Sequence, residues 1–423
     1  MKPSEMRKIP PGYITTRFPQ IEFTDWIDET IAQKETCSLG DWSWIWERRF
    51  KGPDAARLLQ YTTVNSFEKF DILQSKHAVH TNKNGKVIAE GILTRVGEEE
   101  FVLMGRGSFW VDYIRRQGDY DVVSEPEEWT NLQVAGPNCL ALLEAVSGTD
   151  LRDIKFMHNG QIEIKGHKLL ALRMGMSSGP GFELQGPMSA YREIYDELVR
   201  VGEQFGLRQI GGRAGGIGHV ETAFPTIFQD YVPAIFDEDM AEYRKESLGS
   251  VPTYASAFSF DGSFISDSIQ DYYRSPIELG WGKSVKFDHD FIGREALEKE
   301  KAAPRRVLRT LRWNSEDVID VYASLFRKGD TYHFMELPRH QRATLAADRV
   351  VRDGRDIGIA TLRGYSYFFR EMLSLSVIDA AEAEIGREVT VIWGNPGEAQ
   401  KEIRATICPA PYHDERRADL HNF

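Results

Sequence analysis

Residues Tyr254 to Leu297 read YASAFSFDGSFISDSIQDYYRSPIELGWGKSVKFDHDFIGREAL, and the second half of this stretch decides how the rest of the chain is taken. Pro276, Gly280, Gly282 and Gly293 divide it into a compact loop, strand and helix, because proline fixes φ and glycine admits tight turns. Asp290 stands where a side-chain oxygen caps the helix that carries Arg294 to Lys301. Such punctuation specifies local structure and no chemistry.

The wording carries more. PIELG at Pro276–Gly280, VK at Val285–Lys286 and DFIGREAL at Asp290–Leu297 resemble, in the same order, the P-x-E-x-G, V-K and D-F-I-G-[KR]-x-A-L run of the folate-binding aminomethyltransferase family, the T-protein of glycine cleavage and its relatives. Within that family the fuller set, GSFIS at Gly262–Ser266, IQDYY at Ile269–Tyr273 and KFDHDFIGR at Lys286–Arg294, is most similar to the tetrahydrofolate-dependent aromatic O-demethylases that act on vanillate and syringate.

Composition bounds the remaining classes. A chain of 423 residues, 41% hydrophobic and 27% charged, suits a globular protein of two or three domains. A net charge of −12 argues against nucleic-acid or anionic-membrane partners, which demand a basic stripe. An anionic substrate therefore needs its own local arginine. Cys37, Cys139 and Cys408 share no metal-ligand spacing and read as reduced thiols of a cytoplasmic protein. The opening MKPSEMRKIPPGY lacks an apolar core, and no apolar run reaches the length of a membrane span.

Along the chain, Trp42, Trp44 and Trp46 alternate in DWSWIWERRF, which predicts a strand. Such a strand packs its indoles in a core or walls a flat aromatic pocket. GPDAARLLQ predicts a short helix, and Asn84-Gly85 a turn between strands that run through Ile92 and from Phe101 to Met104 before a further helix. His77 and His80 lie three apart on such a strand and face opposite ways, so no metal site is expected there. LQVAGPNCLALLEAV gives a strand broken at Gly136-Pro137 into a helix. Met188, Tyr191, Ile194, Tyr195, Leu198, Val201 and Phe205 form one helical stripe. QIGGRAGGIGHVETAFP is glycine-rich yet matches no phosphate-binding loop. Residues 303–423 give short, regularly spaced strands, an all-β barrel or sandwich.

The resemblance spans most of the chain: VAGPNCLALL, the element at Met176–Leu184, GYSYFFREMLSLSVID and CPAPY follow in family order. It implies an α+β fold of three lobes in a cloverleaf with a folate channel between them. The division expected is a first α+β lobe from residues 1–55 and 150–255, a second from 56–149, a connecting segment over 256–302 and a C-terminal β domain over 303–423.

It also implies site residues. Glu183 matches the glutamate that accepts two parallel hydrogen bonds from the 2-amino group and N3–H of the pterin; an isolated strand glutamate is otherwise solvated. Glu221 aligns with a second glutamate of the folate channel, and Phe182 and Trp281 are ring contacts or core. Arg106, at the tip of FVLMGRG, matches the arginine that binds a substrate carboxylate, with a surface ion pair as its other reading. Two positions depart from the vanillate pattern: Trp44 aligns with a histidine, and Gly215 with the tyrosine that assists the leaving phenolate. The group that meets the leaving oxygen is thereby left unassigned. Ala89 and Glu90 align with the paired aspartates of the glycine-cleavage enzymes, which argues against aminomethyl chemistry.

The expected activity is transfer of a methyl group from a methoxybenzoate to N5 of tetrahydrofolate, with Arg106, Trp44 and Gly215 at the substrate and Glu183, Phe182, Glu221 and Trp281 at the cofactor. The departures favour a chlorinated 2-methoxybenzoate such as dicamba. Demethylation of an aliphatic amine or sulfonium compound on the same fold, and non-catalytic folate binding, are the alternatives. No protein partner is legible.

Overall fold

The computed structural model describes residues 2–12, 20–175, 179–249 and 259–413. The first part of the element at Met176–Leu184 and of the stretch at Tyr254 falls outside them. Two mixed lobes and a closed barrel make up the chain.

The first lobe is a six-stranded sheet in the order Leu207–Gln209, Cys37–Asp41, Trp129–Ala135, Gly181–Pro187, His167–Arg173, Asn159–Ile164. Alternation along its central strands sorts the residues by face. Leu132, Val134, Phe182 and Leu184 enter a core with Leu142 and Leu143 of the helix Cys139–Ser147 and Ile194 and Leu198 of the helix Tyr191–Gly202. Asn131, Gln133, Glu183 and Gln185 take the other face, with Gln133 opposite Glu183 and Asn131 opposite Gln185. Met188, at the start of the predicted stripe, is 37% exposed in a 3₁₀ turn before that helix.

The second lobe is an antiparallel five-stranded sheet in the order Ser75–Thr81, Val87–Gly97, Glu100–Gly105, Glu47–Lys51, Val123–Glu127. Phe50, Ala78, Leu93, Phe101 and Leu103 pack one face beneath the helices Ala55–Thr62 and Gly107–Arg115. Across the other face runs a row in register, His77–Ile92–Met104–Glu47. Ile92 and Met104 pack against Leu172 of the first sheet, so the polar face of the first lobe and this row look at each other across one cleft.

Strand pairing corrects the expected lobe division. Glu47–Lys51 joins the second sheet, while Trp129–Ala135 and the helix Cys139–Ser147 belong to the first lobe. The chain therefore crosses between sheets at residues 42–46, and the predicted tryptophan strand is instead a turn. The Asp41 carboxylate accepts from the Ser43 amide at 2.9 Å, and the Ile45 amide donates to the Trp42 carbonyl at 3.0 Å.

The connecting stretch lies on the second sheet, where Leu279, Trp281, Val285, Phe291 and Leu297 share a core with Val64, Val79, Val87 and Tyr231. Its helix runs from Arg294 to Ala302, and the residue before it is Gly293 at φ 93°; a Cβ there would stand 2.4 Å from the Asn82 carbonyl oxygen. Asp290 is exposed and does not cap this helix, contrary to expectation, because the left-handed glycine makes the entry.

The tail closes into a six-stranded barrel in the order Arg306–Trp313, Glu371–Asp379, Arg355–Ser366, Asp348–Arg352, Glu388–Trp393, Lys401–Cys408. It is not all β: the helix Ser315–Ser324 covers one part, with the Asn314 side chain accepting from the Asp317 amide. No helix among the described residues is long and apolar enough to cross a membrane.

Candidate active site

The cleft between the sheets carries unmet hydrogen-bonding capacity. Glu183 is 3% exposed; its Oε1 accepts from Gln133 Nε2 at 3.2 Å, and its Oε2 has no hydrogen-bond partner among the described residues. Asn131 Oδ1 and Gln185 Oε1 are equally without one. Burial pushes the Glu183 carboxyl up to about 7, with the amides of Gln133 and Asn131 acting the other way. Buried polar atoms left over in this number are costly unless a polar ligand completes them. A planar ring bearing adjacent donors suits the free carboxylate edge, and a pterin is such a ring. The set of free acceptors therefore fits the cofactor implied by the sequence.

Phe182 belongs elsewhere. Period-two alternation places it in the apolar core, on the face opposite Glu183. Glu221, unlike Glu183, has both oxygens engaged within the protein. Its Oε2 meets Lys34 Nζ at 2.7 Å and its Oε1 accepts from Ser366 Oγ at 2.6 Å, a buried latch between the first lobe and the barrel.

Aromatic rings form the neighbouring wall. From Trp44 a chain of ring contacts passes through Trp42 at 6.1 Å, His219 at 6.5 Å, Phe224 at 5.7 Å, Trp281 at 5.8 Å and His77 at 4.8 Å. His77 Nε2 meets Glu90 Oε2 at 3.1 Å. Gly215 lies buried in the turn ahead of the helix Ile217–Glu221, which carries His219. The structure thus brings Trp44 and Trp281 into one wall and sets Gly215 next to the helix that completes it.

Arg106 follows Gly105, the last residue of its strand, and precedes the helix Gly107–Arg115. Gly105 has φ 108°, and a Cβ there would stand 2.8 Å from the Glu90 carbonyl oxygen. Only glycine allows this approach, which seats the strand end just before Arg106 against the Glu90 backbone. Its guanidinium carbon lies 5.6 Å from the Trp46 ring centroid and 5.4 Å from that of Phe228.

Two further residues were not singled out in the sequence. Tyr231 is fully buried, 6.2 Å ring to ring from Trp281, and its hydroxyl has no hydrogen-bond partner among the described residues. Burial and the Glu90 and Asp230 carboxylates raise it well above the usual phenol range, against the pull of Arg106. Glu47 ends the row on the second sheet, 6% exposed. Neither had a local signal: both are polar residues whose burial comes from segments distant in sequence.

Comparison with known proteins gives the family. The description "GCVT N-terminal domain" matches residues 7–237. The chain is 34% identical over 416 residues to a syringate O-demethylase of Sphingobium sp., covering 92% of this chain and 89% of the relative. It is 33% identical over 424 residues to a sesamin methylene transferase of Sinomonas sp., covering 94% and 91%. Among solved structures, the glycine cleavage system aminomethyltransferase T of Bartonella henselae superposes with a TM-score of 0.70 at 17% identity, covering 97% of this chain and 96% of that one. The chain belongs to the aminomethyltransferase family, whose GCVT domain it carries, and is a tetrahydrofolate-dependent methyltransferase.

Proposed function

We propose that this enzyme is an O-demethylase that transfers the methyl group of a methoxybenzoate to tetrahydrofolate, and that a chlorinated 2-methoxybenzoate such as dicamba is preferred over vanillate and syringate. The observation that carries the reading is the Arg106 guanidinium set against the Trp46 and Phe228 rings next to the aromatic wall. A planar cation among flat rings suits an aromatic carboxylate. The similarity to a syringate O-demethylase supports the same class. Three cysteines free of disulfides accord with a cytoplasmic site of action.

Tetrahydrofolate, when bound, supplies N5 as the methyl acceptor and departs as 5-methyltetrahydrofolate. On the protein side, Arg106 holds the substrate carboxylate and so fixes the ring. Breaking the methyl–oxygen bond leaves an aryl oxide, which needs a hydrogen-bond donor. Tyr231 is suited to that task, since its hydroxyl is protonated throughout the working range and unspent on other partners. Trp44 presents an indole and Gly215 no side chain at the positions flanking the ring, so apolar bulk is favoured over a free hydroxyl. Ring chlorines lower the basicity of the departing oxide, and an ortho carboxyl holds the product phenol by an internal hydrogen bond. Less acid catalysis is then required of the protein.

The test is a side-by-side kcat/KM series over dicamba, vanillate and syringate, with dicamba expected to lead. A clear preference for either hydroxylated substrate would overturn the substrate choice and leave the demethylase assignment intact.

Tyr231→Phe is expected to lower kcat roughly tenfold to a hundredfold, and the loss should grow as the departing oxide becomes more basic. Equal losses across leaving groups, or none, would remove the tyrosine from the reaction.

A further inference from the structure

The cofactor cleft holds a second carboxyl. Glu47 begins the strand Glu47–Lys51 and lies opposite Met104, and directly opposed residues of antiparallel strands share a face. Its side chain therefore stands on the cleft face with Met104, whose sulfur meets Asn131 Nδ2 of the facing sheet at 2.7 Å. Neither Glu47 oxygen accepts a well-formed hydrogen bond among the described residues, the Trp129 backbone amide being the one donor that bears on it. Burial pushes this carboxyl up to about 9, the nearby Glu127 and Glu183 carboxyls add to the rise, and the Trp129 backbone amide acts the other way. Two like charges in one dry cleft are unfavourable, so the two carboxyls do not both ionise at neutral pH.

Protonation changes what a carboxyl can recognise. A carboxylate only accepts, whereas the neutral acid offers one donor beside one acceptor. A tetrahydropterin ring has edges of both kinds: the 2-amino group and N3–H are adjacent donors, while N1 adjoins N8–H as an acceptor–donor pair that methylation at N5 leaves intact. We propose that Glu47 is a second pterin-binding residue, held as the neutral acid, which pairs with an acceptor–donor edge while the Glu183 carboxylate takes the donor–donor edge. This rests on tetrahydrofolate as the cofactor and deepens that reading.

The two glutamates then respond oppositely to the same substitution. Glutamine reproduces the pattern of a neutral acid and does not reproduce a carboxylate. In calorimetric titration of the full chain with 5-methyltetrahydrofolate at neutral pH, Glu47→Gln should bind within about threefold of wild type, while Glu47→Leu should lose roughly tenfold to a hundredfold. The wild-type affinity should also decline as pH rises through about 9, and Glu47→Gln should lack that decline. Wild-type affinity in a folded Glu47→Leu, or equal loss in the glutamine and leucine variants, would overturn the inference. If Glu47→Leu does not fold, the alkaline comparison decides alone: the same decline in wild type and Glu47→Gln would overturn it. A wild-type protein that does not bind 5-methyltetrahydrofolate would instead refute the cofactor reading on which the inference stands.

Discussion

Arg106→Ala should raise KM for a methoxybenzoate by roughly thirtyfold to a thousandfold, with a smaller change in kcat. A charge-assisted pairing is worth about 1.5–3 kcal/mol, a forked one somewhat more, and each 1.4 kcal/mol is about tenfold. Arg106→Lys should fall between the two, because a point charge restores attraction without the forked geometry. The guanidinium is flanked by Trp46 and Phe228, so a lysine also forfeits part of the ring contact that orients it. The control is the uncharged methoxybenzene matching each acid. Its turnover should be poor in wild type and insensitive to the arginine. Equal turnover of acid and uncharged analogue by wild type would contradict the assignment.

The second large effect belongs to Glu183. Glu183→Gln should keep the fold and weaken binding of the folate about tenfold to a hundredfold, since an amide replaces one acceptor by a donor facing a donor edge. The pH dependence follows from the raised carboxyl. In the ligand-free protein Glu183 holds its proton up to about 7, above its value in the unfolded chain, so its contribution to stability is present at low pH and lost as pH rises through 7. Binding runs the other way: the pterin edge wants the carboxylate, and affinity should climb as pH rises through the same range. Glu183→Gln should abolish that climb. Calorimetry across pH reads both effects, and an affinity unchanged by the substitution would exclude Glu183 from the cofactor site.

Much of this arrangement was legible in the sequence. The helix from Arg294, the Asn84-Gly85 turn, the Gly136-Pro137 break and the strand-rich tail depend on local rules and formed where those rules put them, whereas the strand expected between Pro276 and Gly293 is a run of turns. Glu183 and Arg106 were singled out through motifs that bracket them with glycine. What failed was non-local. Trp42, Trp44 and Trp46 alternate as a strand does, yet Cys37–Asp41 and Glu47–Lys51 pair in different sheets, and nothing in five residues says that the chain must cross between them. Glu47 sits in WERRF, a charged run that looks solvated; its burial is imposed by the facing sheet, some eighty residues or more along the chain. Phe182 is a different case. Its position next to Glu183 on a strand already implied opposite faces, and that signal was available without the structure. Asp290 lost its cap role to the left-handed Gly293, a choice that composition at one position cannot arbitrate.

The central claim is methyl transfer from an aryl ether to tetrahydrofolate. Incubating the enzyme with tetrahydrofolate and dicamba, and following both products by chromatography, tests it most directly. The account predicts 5-methyltetrahydrofolate and the demethylated phenol in equal amounts, with neither formed when the folate is omitted. Phenol released without methylated folate, or no 5-methyltetrahydrofolate from dicamba, vanillate and syringate alike, would contradict it.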